Sequence, residues 1–116
     1  MLVSKTIVKN TDDDSLGYIE CVYDSTSILK SIYFVQTKIL YIAFGRGNMF
    51  SYTNVPMDFY DEFESSESQG VFFSKNIAKN KKYPVRKEFK LITSEMDEIK
   101  KIIGDYQLNK YADEID

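Results

Sequence analysis

The architecture can be read from one dense stretch, which runs from Leu40 to Tyr83 and has the sequence LYIAFGRGNMFSYTNVPMDFYDEFESSESQGVFFSKNIAKNKKY. It opens on apolar residues that alternate onto both faces of a strand, which predicts a central strand buried on two sides. The turn Gly45-Arg46-Gly47-Asn48 follows, because Gly and Asn accept positive φ. The alternating run from Phe50 to Val55 then predicts the antiparallel partner strand.

Two short helices are predicted after this strand pair. Pro56 suits the first position of a helix, where its missing N–H costs nothing. Phe59, Tyr60 and Phe63 follow at spacings that give one apolar stripe. Ser68 is predicted to cap a second helix, which runs through Ile77 and ends before Pro84.

Further elements extend the stretch in both directions. Thr6–Val8 and Tyr18–Tyr23 read as a strand hairpin, and Ile28–Val35 as another strand. Ser94 begins a C-terminal helix with one apolar stripe. We therefore predict one domain over residues 1–116, with an N-terminal hairpin at 1–24 and a C-terminal helix at 92–109. The predicted fold class is α+β: a small antiparallel sheet of four to five strands, followed by two short helices and a longer C-terminal helix, all packed on one face.

Composition limits the classes of protein that this chain can represent. The 116 residues are 43% hydrophobic and 28% charged, with a net charge of -3, as expected for an ordinary soluble domain. The lone Cys21 excludes an internal disulfide, and its alternating neighbours predict a buried strand residue. No apolar run is long enough to span a membrane, so we expect a cytoplasmic protein with no membrane partner. Nothing in the sequence indicates an oligomeric state.

The charge is arranged in blocks that the net value hides. Residues 71–91 carry a net +6, from Lys75, Lys79, Lys81, Lys82, Arg86, Lys87 and Lys90 against Glu88. Helical spacing predicts that Lys75, Lys79 and Lys82 share one face. Tyr83 and Phe89 lie within the same segment. Cations with interleaved rings are typical of sequence-tolerant nucleic-acid binding, although a solvated helix face would give the same pattern.

An acidic block precedes the basic one and contains Asp58, Asp61, Glu62, Glu64 and Glu67. We interpret it as a solvated face that compensates the helix dipole, because a metal site would more often include His and the chain has none. Asp12-Asp13-Asp14 lacks the spacing of a calcium loop and reads as a turn. We expect no metal, no cofactor and no catalytic residues. The abundant aromatics Tyr41, Tyr52, Tyr60, Phe72 and Tyr83 belong either to an exposed patch or to an aromatic-rich core.

The order and spacing of one set of residues are similar to the pattern of a known family. The set is Ser25-Thr26-Ser27-Ile28, Leu40, Ile42, Phe44, Gly47, Phe50, Tyr52, Val55-Pro56, Tyr60, Phe63, Ser68, Gly70, Phe72, Phe73 and Ile77. Over about residues 25–86 the chain resembles the KTSC domain, a small family named for its occurrence after some lysyl-tRNA synthetases. Tyr33-Phe34, Ser66 and the long Ile77-to-Tyr83 spacing depart from the family pattern. The resemblance implies a fold and no settled activity.

Two functional hypotheses follow, both without catalysis. The first is a nucleic-acid-associated module that binds RNA or DNA through the basic segment 75–90, with Arg46, Lys75, Lys79, Lys82 and Arg86 as contacts. The alternative is a protein-binding adaptor, or a phage- or plasmid-encoded inhibitor of a host enzyme. Its contacts would lie on the acidic helix, at Asp58, Asp61, Glu62 and Tyr60.

Overall fold

The computed structural model describes residues 1–25 and 27–115; Thr26, part of the Ser/Thr-rich lead, lies outside them. In these residues the strands are β1 (Leu2–Lys9), β2 (Leu16–Tyr23), β3 (Ile28–Phe34), β4 (Ile39–Phe44), β5 (Met49–Tyr52) and β6 (Val85–Lys87). The helices are α1 (Met57–Ser65), α2 (Gln69–Asn76) and α3 (Thr93–Ile115). The strands lie side by side in chain order, and each pairs antiparallel with the next. The α+β class is confirmed.

The prediction of four to five strands is wrong, because the described residues form a sheet of six. The additional strand is β6, which follows Pro84 and pairs with β5 through Ser51↔Arg86 and its neighbours. Its three residues are all exposed. A short, charged strand at the edge of a sheet has no apolar alternation, so the sequence signal for it is missing.

Helices α1 and α2 cover one face of the sheet. Pro56, predicted at the first helical position, lies one residue earlier, at the N-cap of α1, and the helix begins at Met57. The Ser68 hydroxyl caps α2 by accepting a hydrogen bond from the Val71 backbone N–H at 3.3 Å. The buried core on this face contains Ile19, Cys21, Tyr23, Ile28, Tyr33, Leu40, Ile42, Tyr52, Val55, Tyr60, Phe63 and Ile77. Cys21 is fully buried in β2, as predicted.

Helix α3 packs on the opposite face, so the prediction that all helices share one face is wrong. Val22 and Ala43 belong to a second buried cluster with Leu91 and Ile99. Val22 directly follows Cys21, and successive strand residues point to opposite faces. The apolar residues on both faces of β4 require cover on both sides. The sequence shows that requirement but does not assign each helix to a face.

A buried polar cluster ties β1 to α1. Glu64 is almost fully buried, and its carboxylate accepts hydrogen bonds from Lys5 Nζ at 2.9 Å, the Tyr60 hydroxyl at 3.1 Å and Cys21 Sγ at 3.3 Å. The hydrogen bond to Glu64 raises the pKa of Lys5. Burial raises the pKa of Cys21 to about 11 and also raises that of Tyr60. The interpretation of the whole acidic block as a solvated face is therefore wrong for Glu64.

Among the helices of residues 1–25 and 27–115, none is both long enough and apolar enough to cross a bilayer.

Candidate nucleic-acid interface

The basic segment is a loop and an edge strand, with only its first lysine in a helix. Helix α2 ends at Asn76, and Lys79 adopts a left-handed conformation with φ of 59°. The Asn80 side-chain amide donates to the Asn76 carbonyl at 2.9 Å, which holds the chain in a turn after the helix. The prediction that Lys75, Lys79 and Lys82 share a helical face is therefore wrong. Helical spacing cannot reveal that the backbone leaves the helix between two of these residues.

The end of the segment forms β6, which is an edge of the sheet. Arg86 pairs with Ser51 and Lys87 with Phe50, so their side chains project from opposite faces of the edge. Glu88 accepts a hydrogen bond from the Ser51 hydroxyl at 2.8 Å and lies 3.8 Å from Arg86. The next residue, Phe89, is 91% exposed, which is unusual for a phenylalanine. This edge thus offers cations and an aromatic ring to solvent.

A groove runs along β5 and β6 on the face that carries α1 and α2. Its volume is about 460 Å³, and it is lined by Phe44, Asn48, Phe50, Tyr52 and Val85. A neighbouring hollow of about 220 Å³, beside the loop that precedes β6, shares Tyr52 and Val85 with it. We call the two together the β5–β6 groove. Its floor is aromatic, because β5 places Phe50 and Tyr52 on the same face.

Cations lie beside this groove. Lys79 and Lys81 line the hollow at one end, and Arg46 lies in the turn at the other end, two residues before Asn48. Lys87 lies beside Phe50 across the strand pair. The ion pairs of the described residues join Lys5 to Glu64, Lys30 to Glu20 and Arg86 to Glu88. Lys79, Lys81 and Lys87 are in none of them, so their charge is available to an anionic ligand.

Burial raises the pKa of Tyr52 to about 12, and its hydroxyl is neutral at physiological pH, as it would be at the ordinary tyrosine pKa of about 10. The groove floor therefore supplies rings and a neutral hydroxyl, and the positive charge is confined to the rim. An apolar aromatic floor with a cationic rim suits a ligand that has flat rings joined by phosphates.

The remaining predicted cations lie outside the groove. Lys75 faces a hollow with Ser27, Ser68 and Val71. It follows Phe73 by two residues in a helix, which places it on the other side of α2 from the ring that contacts Phe44 and Tyr52. Lys82 is exposed in the loop, and Arg86 projects from the opposite face of the sheet. Of the predicted contacts, Lys79 lines the groove, and Arg46 lies two residues before the lining residue Asn48. Sequence reasoning does not select Lys81, Lys87 or Phe50 as contacts. Lys87 and Phe50 can be matched only once the antiparallel register of β5 and β6 is known.

The predicted acidic contacts are split between surface and core. Asp58, Asp61 and Glu62 are exposed on α1, and the Asp58 carboxylate accepts a hydrogen bond from the Phe59 backbone N–H at 2.9 Å. Tyr60 is fully buried and its ring stacks on Tyr33 with centroids 4.4 Å apart. Its hydroxyl bonds Glu64 in the core, so Tyr60 is inaccessible to a partner of the folded protein. No cluster of three or more His, Cys, Asp or Glu side chains suited to a metal occurs among the described residues.

A second aromatic surface lies on the opposite face, where α3 leaves part of the sheet open. Phe34 is 36% exposed, and its ring lies 5.4 Å from Tyr18 and 5.6 Å from Tyr41. The loop that contains Asp12-Asp13-Asp14 adjoins it, since Gln36 donates to Ser15 at 3.3 Å. Those carboxylates repel a polyanion, so this surface suits nucleic acid less well than the β5–β6 groove.

The geometry defines a small α+β protein in which an antiparallel meander is covered by helices on both faces. The KTSC domain model matches residues 24–83, which is more than half of the chain. The chain therefore belongs to the KTSC domain family, as the sequence resemblance indicated. It is similar to the crystal structure of a KTSC domain protein from Yersinia pestis, with a TM-score of 0.53 and 23% identity over 74% of this chain and 100% of that one. This similarity supports the fold alone. No curated protein matches the sequence.

Proposed function

We propose that the protein is a non-catalytic nucleic-acid-binding module whose contacts surround the β5–β6 groove. The proposal is carried by one observation: Lys79, Lys81 and Lys87 are absent from the ion pairs of the described residues and border a solvent-open aromatic groove. Arg46 is exposed in the turn next to the groove residue Asn48, where it would add to this positive charge. Lysine and arginine side chains bind phosphates by displacing condensed counterions, which gives sequence-independent affinity.

The net charge of -3 limits the size of the footprint. Acidic residues are exposed on α1 and in the loop at residues 12–14, so a long duplex lying across the protein would meet repulsion there. Local charge steers a ligand when it is concentrated within about a Debye length, roughly 8 Å at physiological salt. The positive rim therefore favours a short contact of few phosphates, with strong sensitivity to salt.

A charge-reversal experiment tests this proposal. We compare Lys79→Glu/Lys81→Glu/Lys87→Glu with a control of equal charge change, Lys9→Glu/Lys100→Glu/Lys101→Glu, whose sites lie on β1 and α3. Fluorescence polarisation measures binding of labelled RNA and DNA at two salt concentrations. If three phosphate contacts are lost, the slope of log affinity against log salt should fall by about 2 for single strands.

The expected result is a large loss of affinity in the groove variant and a small one in the control. Equal losses would show that net charge alone governs binding and would contradict the assignment to the groove. Absence of binding by the wild-type protein at low salt would overturn the proposed function.

The acidic α1 surface supports a second candidate, a protein-binding adaptor or inhibitor. Asp58, Asp61 and Glu62 are exposed together and belong to none of the ion pairs of the described residues. A basic partner protein would neutralise them. Asp58→Asn/Asp61→Asn/Glu62→Gln should then lose a partner that nuclease treatment of a lysate leaves bound. If nuclease releases every partner, this candidate fails and the nucleic-acid proposal gains support.

A further inference from the structure

We infer that the β5–β6 groove selects single-stranded over duplex nucleic acid by stacking bases on the ring of Phe50, with the ring of Phe44 beside it. This inference rests on the proposed function and adds the class of ligand. The phosphate contacts of the rim do not distinguish single strands from duplexes. The aromatic floor of the groove is a separate feature of the structure, and it carries the distinction.

The rings of the groove are held in place and remain accessible. Phe44 and Phe50 meet edge to face, with centroids 5.8 Å apart and planes at 73°. Phe73 of α2 packs against Phe44 at 5.1 Å and against Tyr52 at 5.6 Å, which fixes the rings from the other side. Both Phe44 and Phe50 nevertheless keep part of their surface exposed. A pre-positioned ring stacks a base without losing further side-chain freedom on binding.

The dimensions of the groove suit a few unpaired bases. Its main part, at about 460 Å³, falls within the range of small-ligand sites, roughly 300–1,000 Å³. The four residues of β5 extend over roughly 13 Å, the length of about four stacked bases at about 3.4 Å each. In a duplex the base faces are already stacked on their neighbours, so they cannot reach a floor of this kind. Single-stranded bases can turn toward the rings while their phosphates meet the lysines of the rim.

The polar lining offers little means of reading base identity. Asn80 already uses its amide, which donates to the Asn76 carbonyl and accepts from the Lys82 backbone N–H at 3.0 Å. Asn48 is the other side-chain amide among the lining residues, so a single amide is left to contact base edges. Stacking is tolerant of sequence because every base has a π face. We therefore expect weak discrimination among the bases and strong discrimination between single-stranded and duplex nucleic acid.

The first test uses matched substitutions on the two aromatic surfaces. Phe50→Leu removes a groove ring and keeps an apolar side chain, and Phe34→Leu does the same on the opposite face of the sheet. Binding of oligouridine, oligothymidine and duplex RNA with equal phosphate number is measured for each. Phe50→Leu should weaken single-strand binding on the order of tenfold, the value of one base stack. It should leave duplex binding and the salt slope unchanged, and Phe34→Leu should change neither.

The second test needs no substitution. Val85 lines the groove and is 59% exposed, so a base stacked there should shift its methyl resonances upfield through the ring current. Ile7, which is 50% exposed on the other edge strand, supplies control methyls. Methyl spectra of the wild-type protein are recorded with oligouridine and with duplex RNA.

The outcomes separate this inference from the function on which it rests. Wild-type protein that binds neither strand type at low salt overturns both. Equal affinity for both strand types, unchanged by Phe50→Leu, overturns the stacking inference and leaves the nucleic-acid function standing. Val85 methyls that stay in place while oligouridine binds also overturn the inference. Preferential single-strand binding that Phe50→Leu abolishes supports it.

Discussion

The two edge strands of the sheet both carry lysines, and the structure uses them differently. On β1, Lys5 reaches the buried carboxylate of Glu64, which also accepts from Tyr60 and Cys21. On β6 and the loop before it, Lys79, Lys81 and Lys87 join none of the ion pairs of the described residues and lie beside an open groove. A cation with a buried partner contributes to folding, and a cation beside exposed rings is available to a ligand. Stability and binding should therefore respond to substitutions at opposite edges.

The largest expected difference is in the stability lost when an apolar side chain is truncated in the core and at the groove. Phe63→Ala empties a fully buried site under α1 and should lower the free energy of unfolding by about 3–5 kcal/mol. Val85→Ala removes methyls that are mostly exposed at the groove and should cost within about 0.5 kcal/mol. Urea unfolding followed by circular dichroism measures both. Similar losses in the two variants would show that the groove wall is part of the core.

The paired and unpaired lysines provide the next comparison. Lys5→Met leaves the Glu64 carboxylate buried without its cation and should lower the free energy of unfolding by about 1–3 kcal/mol. Lys87→Met should change stability by less than about 0.5 kcal/mol and weaken RNA binding instead. For both variants, urea unfolding measures the free energy of unfolding and fluorescence polarisation measures the affinity for RNA. Loss of RNA binding by a fully stable Lys5→Met variant would show that the β1 lysine serves binding and would contradict this division between the two edges.

Alkaline pH should lower the free energy of unfolding through the buried thiol of Cys21. The pKa of Cys21 rises from 9.0 in the unfolded chain to about 11 in the folded protein, so folding keeps its proton. Its contribution is fully present below pH 9 and is lost as pH rises through about 11, by up to roughly 2 kcal/mol. Tyr60, whose pKa burial also raises, acts in the same direction. In the Cys21→Ala variant, the free energy of unfolding, measured by urea unfolding at each pH, should fall less steeply between pH 9 and 11. The same fall in both proteins would contradict the attribution of this pH dependence to Cys21.

Two glycines give modest predicted effects of opposite sign. Gly47 has φ of 88°, and a Cβ there would lie 3.2 Å from Met96 Sδ of α3. Gly47→Ala should therefore cost about 1–2 kcal/mol. Gly104 lies in α3, where a Cβ would have no neighbouring atom within 4 Å, so Gly104→Ala should stabilise by about 0.5–1 kcal/mol. Thermal unfolding compares the pair. Stabilisation by Gly47→Ala would show that the turn tolerates a side chain.

Local patterns predict much of this fold and less of the candidate site. Pro56, Ser68 and the alternation of β4 identify their elements because each signal lies within a few neighbouring residues. The strand β6 has no such signal, because three exposed residues show no period. The placement of α3 depends on which of two apolar faces it covers, and only tertiary packing determines that.

The basic segment is recognisable from its charge, but its arrangement is not. Lys75 and Lys79 have helical spacing in the sequence, and the chain leaves the helix at Asn76 between them. The groove combines Phe50 with Lys87, residues far apart in sequence that β pairing brings side by side. A buried carboxylate such as Glu64 is equally hidden, because the sequence does not show that a lysine on β1 will meet it.

The most direct test of the difference between the two edges is an amide chemical-shift titration of the wild-type protein with oligouridine at low salt. We expect shifts in β5, in β6 and in the loop from Lys79 to Tyr83, with β1 and α1 unchanged. Shifts centred on β1 or α1, or no shifts at saturating oligouridine, would contradict the claim that the β6 edge is the binding surface.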